Sequence, residues 1–131
     1  MSPAGKAAVI GVHGLAIWAL CGGVMEGARA AVGLDSALIV HAVAAPLIAA
    51  AVSASYWRWF GYTRPAPTAV AFTAVPMVLD AIIVAPFAEH SYAMFTSALG
   101  TWIPFGLILG SSYLTGLLMS GRRKAAVVAR A

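Results

Sequence analysis

The chain has 131 residues, 62% hydrophobic and only 9% charged, with a formal net charge of +4. Soluble domains carry roughly 45–50% apolar and about 25% charged residues, so too little polar surface exists here to cover a water-soluble fold of this size. The single cysteine excludes an intrachain disulfide and a multi-cysteine metal site.

Lipid is the alternative solvent. Stretches of around 20 residues with almost no charge span a hydrocarbon core of roughly 30 Å as helices. Four such stretches can be drawn: 7–26, 37–57, 68–88 and about 93–120. They predict an all-α, polytopic membrane bundle of four transmembrane helices, one integral membrane domain over residues 1–131. Short loops make consecutive helices antiparallel.

The first segment has a second reading. Lys6, an apolar run and Ala28-Arg29-Ala30 resemble a signal peptide with its cleavage site. The run is longer than the usual core of about 7–15 residues and carries His13, so a membrane span is the better reading. Ala16, Ala19, Gly23 and Gly27 form a small-residue stripe suited to close helix approach. Cys21 reads as a small apolar filler. His13 lies toward the inner end, where Ser111, Ser112 or Tyr113 would satisfy it.

The second segment carries His41, Pro46 and an alanine-rich run from Ala42 to Ala54. It ends in Tyr56, Trp57, Trp59, Phe60 and Tyr62, whose amphipathic rings suit a membrane interface. Pro65 and Pro67 then predict a turn before the third helix, since each disfavours helix at the preceding residue.

The third segment holds one carboxylate in an apolar run, PMVLDAIIVAPFAEH. At 1.5 Å per residue, Asp80 lies roughly 12 Å below the outer boundary. Facing lipid there would cost about 2.5–3.5 kcal/mol, so Asp80 should face the bundle. Thr73, Met77, Val84 and Phe87 share its face at helical spacing. Glu89 and His90 open the outer connection.

The fourth segment offers a polar stripe of Ser97, Thr101, Pro104, Ser111 or Ser112, and Thr115, with Thr101 near the depth of Asp80. Gly106 and Gly110 have GxxxG spacing, read here as packing within the chain ahead of a homodimer contact.

Charge placement orients the bundle. Lys6, Arg58, Arg64, Arg122, Arg123, Lys124 and Arg130 fall on one side and only Arg29 on the other. By the positive-inside rule both termini are expected in the cytoplasm. The same bias disfavours dual insertion of the kind found in small multidrug transporters, which this chain matches in size alone. The cations serve as topological signals and meet membrane lipids, with no nucleic acid implied.

Polar groups collect toward the outer side. Asp80, His41, Glu26, Thr101, Glu89 and His90 make a candidate ligand- or proton-binding site, because carboxylates with imidazoles can relay protons, hold a cation or act as acid and base. Should the chain be an enzyme, Asp80, His41 and Glu26 are the catalytic candidates. The bland reading of Asp80 is a buried hydrogen bond to Thr101, Ser97 or His41 that fixes helix register. Nucleophile-turn, zinc, Walker A and dinucleotide signatures are all missing, and no cofactor or metal is expected.

Val78 to Gly116 carries a resemblance. Its Asp, the APF-x-E-x-SY-x-MF-x-S segment and the following GTWIPF resemble a group of small uncharacterised bacterial four-helix integral membrane proteins, with a fainter echo in HAVAAP at 41–46. The resemblance implies the fold and a bacterial inner-membrane location, and no activity. Three functions are therefore carried: a transport or accessory protein binding a proton, cation or small polar ligand at the outer site; a membrane isomerase or cyclase using acid/base chemistry on a lipophilic substrate; and a structural subunit of a homodimer or larger membrane complex.

Overall fold

Ser2 starts the first helix, its hydroxyl accepting the Gly5 N–H at 3.1 Å, and Pro3 follows where no N–H is needed. In this computed structural model, which describes residues 1–131, α1 runs Pro3–Val32. Gly33 ends it with φ +82, a conformation glycine takes without strain. α2 spans Leu34–Trp59, and α3 spans Pro65–Leu79. The third helix continues as a π-helix over Asp80–Ala88. A 3₁₀ turn at Ala93–Thr96 and a second π segment at Ala98–Trp102 lead into α4, Ile103–Arg130. Four helical stretches are thus long and apolar enough to cross a membrane.

Each helix except the last starts earlier than hydropathy predicts, by three or four residues: α1 at Pro3, α2 at Leu34 and α3 at Pro65. The fourth starts later. Ser97 breaks the expected segment at 93, adopting an extended backbone while its side chain caps Gly100 N–H at 2.9 Å. Pro65 and Pro67 lie inside the first turn of α3, not in a turn before it. The first helical turn has no intrahelical partner for its N–H groups, so proline fits there.

Every consecutive pair is antiparallel, and the bundle closes through two parallel pairs. Gly14 meets Val75, Trp18 meets Asp80 and Arg29 meets Glu89, so α1 and α3 run side by side in one direction. Leu38 meets Gly100, Ser111 donates to the Pro46 carbonyl at 2.7 Å and Trp57 meets Gly116, so α2 and α4 do likewise. The ring order is α1, α2, α4, α3. Both termini emerge at one end, here the terminal end; the opposite one is the far end.

The terminal half of the core is aromatic. The His13 ring lies 5.5 Å from Tyr56 and 5.6 Å from Phe60, both edge-on, and stacks 6.1 Å from Phe72. Its Nδ1 pairs with the Val9 carbonyl at 2.7 Å, so helix four does not satisfy it. The Tyr56 hydroxyl accepts the Tyr62 N–H at 2.9 Å and pairs with Thr63, which in turn pairs with Thr68. This chain of hydroxyls pins the α2–α3 connection onto the core. The far half is built from smaller side chains: Cys21, Ala37, Ala45, Ala85 and Thr101 are all buried.

Small residues pack differently from expectation. α1 buries Gly14, Ile17 and Cys21, while Gly23 and Gly27 meet nothing. Gly106 and Gly110 also face outward with open space around them, so the GxxxG spacing does not pack within the chain. The alanine run of α2 does enter the core, through Ala45 and Ala49, and Ala37 before the run is buried as well. Spacing identifies a helix face, but it does not say which of several small faces meets a neighbour.

Candidate functional site

Asp80 stands where α3 changes to π winding. Buried Pro76, one turn earlier, has no N–H to give the Phe72 carbonyl, and Pro86 removes another donor within the π segment. The wider winding is closed by bonds such as Glu89 N–H to the Val84 carbonyl, five residues back, at 2.8 Å. Its residues advance less per turn, so the 3.6-residue phase fails beyond Asp80. Phe87, expected on the inward face, is 73% exposed, and Ala85, five residues after Asp80, is buried instead. π segments in helices often mark functional positions.

The Asp80 carboxylate is half-buried and faces α1. Its Oδ1 accepts a hydrogen bond from Trp18 Nε1 at 3.0 Å, and Asp80 makes no other side-chain hydrogen bond or ion pair. The predicted partners are elsewhere. Thr101 is buried and donates to the Met94 carbonyl at 2.6 Å, tying the second π segment to the 3₁₀ turn. Ser97 caps Gly100. His41 lies on the inward stripe of α2, one turn from both Ala37 and Ala45, and its buried Nδ1 has no partner.

The acids at the far end form their own cluster. Arg29 Nη2 donates to Glu89 Oε1 at 3.1 Å and its Nη1 lies 3.9 Å from Glu26 Oε1, bracing the far ends of α1 and α3. His90 is exposed with φ +52, the only non-glycine residue in the left-handed region. The six predicted residues thus divide into three places: Asp80 mid-seam between α1 and α3, Glu26 and Glu89 at the end of that seam with His90 just beyond, and His41 and Thr101 with α2 and the start of the fourth helix. No three of the His, Cys, Asp and Glu side chains approach as a metal site requires.

No family model, curated protein or solved structure matches this chain.

The site residue that the pattern of charges overlooked is Trp18. A signal for it exists, since tryptophan prefers the membrane interface and Trp18 sits in the middle of a span. A mid-span indole N–H needs an acceptor, and Asp80 is the one at its level. The seam therefore presents one carboxylate oriented by a neutral donor, while Arg29, the cation at this end of the bundle, is engaged by Glu89 and Glu26. Such a group can release and rebind a proton, or share its charge with a cation or a polar ligand donor.

Two surface grooves lie away from Asp80. One follows Gly106, Gly110 and Leu114 beside Pro46, and the other lies between the start of α3 and α4.

Proposed function

We propose that this chain is a small transport or accessory protein of the bacterial inner membrane whose Asp80 binds a proton, a cation or a small polar ligand in the outer half of the bilayer. The observation that carries the reading is a half-buried carboxylate within a span, held by Trp18 on one oxygen and free of any cation. Intramembrane acids are costly to insert and mark ion and proton paths more often than packing. The π winding that begins at Asp80 supports the same reading.

The terminal end carries seven of the eight Lys and Arg residues, which supports a cytoplasmic location for both termini. With Cys21→Ser as background, cysteine at Asp35 or Ser91 should react with an impermeant thiol reagent on intact cells, and cysteine at Thr63 or Ala126 only after permeabilisation. The opposite pattern inverts the bundle and places the site in the inner leaflet.

A structural role is the second reading, favoured by the Trp18 bond itself, which joins α1 to α3. Asp80→Asn separates the two. The amide keeps the shape and an oxygen for Trp18, and removes the negative charge. Thermal unfolding is followed across pH and with sodium, potassium, magnesium or calcium chloride. The site reading expects a pH- or cation-dependent stabilisation in the native chain that Asp80→Asn lacks. A ligand at a hundred times its Kd stabilises by about 2.7 kcal/mol, enough to register clearly. Identical profiles for the two proteins would leave Asp80 as a helix-packing residue.

A further inference from the structure

The groove between the start of α3 and α4 has no role in the Asp80 site, and its surroundings define an occupant. It is open to the lipid side, has a volume of about 380 Å³, and is lined by Arg64, Pro65, Ala66, Pro67, Tyr113 and Leu117. Arg64 stands at the N-terminal edge of α3, where the third membrane-length apolar helix begins. Along α4 the groove runs from Leu117 to Tyr113, about 6 Å by helical rise, on the apolar side of Arg122. Its floor is apolar and its mouth is cationic.

The electrostatic setting is one-sided. Lys6, Arg58, Arg64, Arg122, Arg123, Lys124 and Arg130 share the terminal end, and none of the four acids, Glu26, Asp35, Asp80 and Glu89, lies there. Several of these cations are engaged within the chain: Lys6 sits over Tyr62 at 5.7 Å, Arg58 over Trp59 at 5.3 Å, and Arg123 donates to the Phe60 carbonyl at 3.2 Å. Arg64 contributes only its backbone carbonyl, which accepts from Thr68, and its guanidinium is exposed and unpaired. Pro65 and Pro67 have no N–H, so backbone donors at the start of α3 are few and the attraction of this groove for an anion rests on Arg64.

We infer that the Arg64 groove binds one anionic phospholipid of the adjacent leaflet, its phosphate paired with the Arg64 guanidinium and an acyl chain laid over Leu117 and Tyr113. Guanidinium and phosphate match in charge and in bidentate geometry. Basic pockets between spans bind anionic head groups in the same manner. The lipid would brace α3 against α4 at the end opposite the Arg29–Glu89 contact. The inference stands apart from the role of Asp80, and it holds for either orientation of the bundle.

The test is native mass spectrometry of the intact chain released from nanodiscs containing equal phosphatidylglycerol and phosphatidylcholine of the same acyl chains. The native chain should retain one phosphatidylglycerol in preference to phosphatidylcholine. Arg64→Gln should reduce that preference about fivefold, the factor equivalent to roughly 1 kcal/mol for one surface cation. Arg58→Gln and Arg130→Gln, which carry the same charge change outside the groove, should leave it intact. Leu117→Trp fills the groove without changing charge and should also displace the lipid, so the result does not depend on one variant. Melting profiles of each variant without added phosphatidylglycerol confirm that the fold survives. Equal retention of both lipids, or equal losses in all three arginine variants, overturns the inference in favour of diffuse surface attraction.

Discussion

Gly14→Ala should destabilise the bundle by about 1–3 kcal/mol, the usual cost of forcing atoms into a packed core. A Cβ at Gly14 would stand 2.7 Å from Val75 Cβ and 3.0 Å from both of its methyl groups. Val75 cannot turn aside, because its Cβ is bonded directly to the backbone and β-branching restricts χ1. The two helices must separate, and the parallel α1–α3 seam carrying Trp18 and Asp80 separates with them. Gly23→Ala is the control: the same methyl on the same helix meets nothing within 4 Å. Unfolding in mixed micelles should show the loss for Gly14→Ala alone. Val75→Ala should restore only part of it, since it removes the two methyl contacts at 3.0 Å and keeps the Cβ at 2.7 Å.

Trp18→Phe should be comparably damaging, by a different cause. One aromatic ring is kept, but the pyrrole ring goes with its N–H, and Asp80 Oδ1 loses its only protein donor. A buried group left unpaired costs about 1–3 kcal/mol. A membrane hydrogen bond between ordinary polar partners averages only about 0.6 kcal/mol, so a loss at the upper value reports an abandoned carboxylate rather than a missing contact. Asp80→Leu in the Trp18→Phe background removes the stranded acid and should recover stability. A double-mutant cycle over these variants measures the coupling directly.

The sequence made the architecture legible because lipid imposes a simple rule: spans must be long, apolar and helical. The inward turn of Asp80 was equally legible, from the cost of exposing a carboxylate. Its partner was not. Thr101, Ser97 and His41 were sought on the second and fourth helices, where polar residues are abundant, whereas the bundle closes with α1 beside α3. Which non-consecutive helices meet is decided by shape complementarity, here Gly14 against Val75, and one glycine among thirteen does not announce that role. The π winding was hidden for a similar reason. Pro76 and Pro86 indicate that α-helical bonds are lost, but not whether the chain kinks or widens in response. Phe87 lies on the exposed face as a consequence.

The Arg29–Glu89 pair shows the converse. Arg29 was recognised as the only cation near the far-end acids, and it does meet Glu26 and Glu89, at the mouth of the seam rather than at Asp80. That placement leaves Asp80 without a counter-ion, which is the feature on which the functional proposal depends.

The most direct measurement is fluorine NMR of the chain labelled with 5-fluorotryptophan and held in lipid nanodiscs. The Trp18 resonance is identified by its absence in Trp18→Phe, among four tryptophans. Because the indole N–H donates to Asp80, the shift of this resonance reports any change in charge or occupancy at the carboxylate. The account predicts that the Trp18 resonance moves with pH or with added cation while Trp57 does not, and that Asp80→Asn abolishes the movement with the fold intact. A Trp18 resonance that stays fixed across pH and cation, and equally fixed in Asp80→Asn, would contradict a binding role and leave the Trp18–Asp80 bond as a link between two helices.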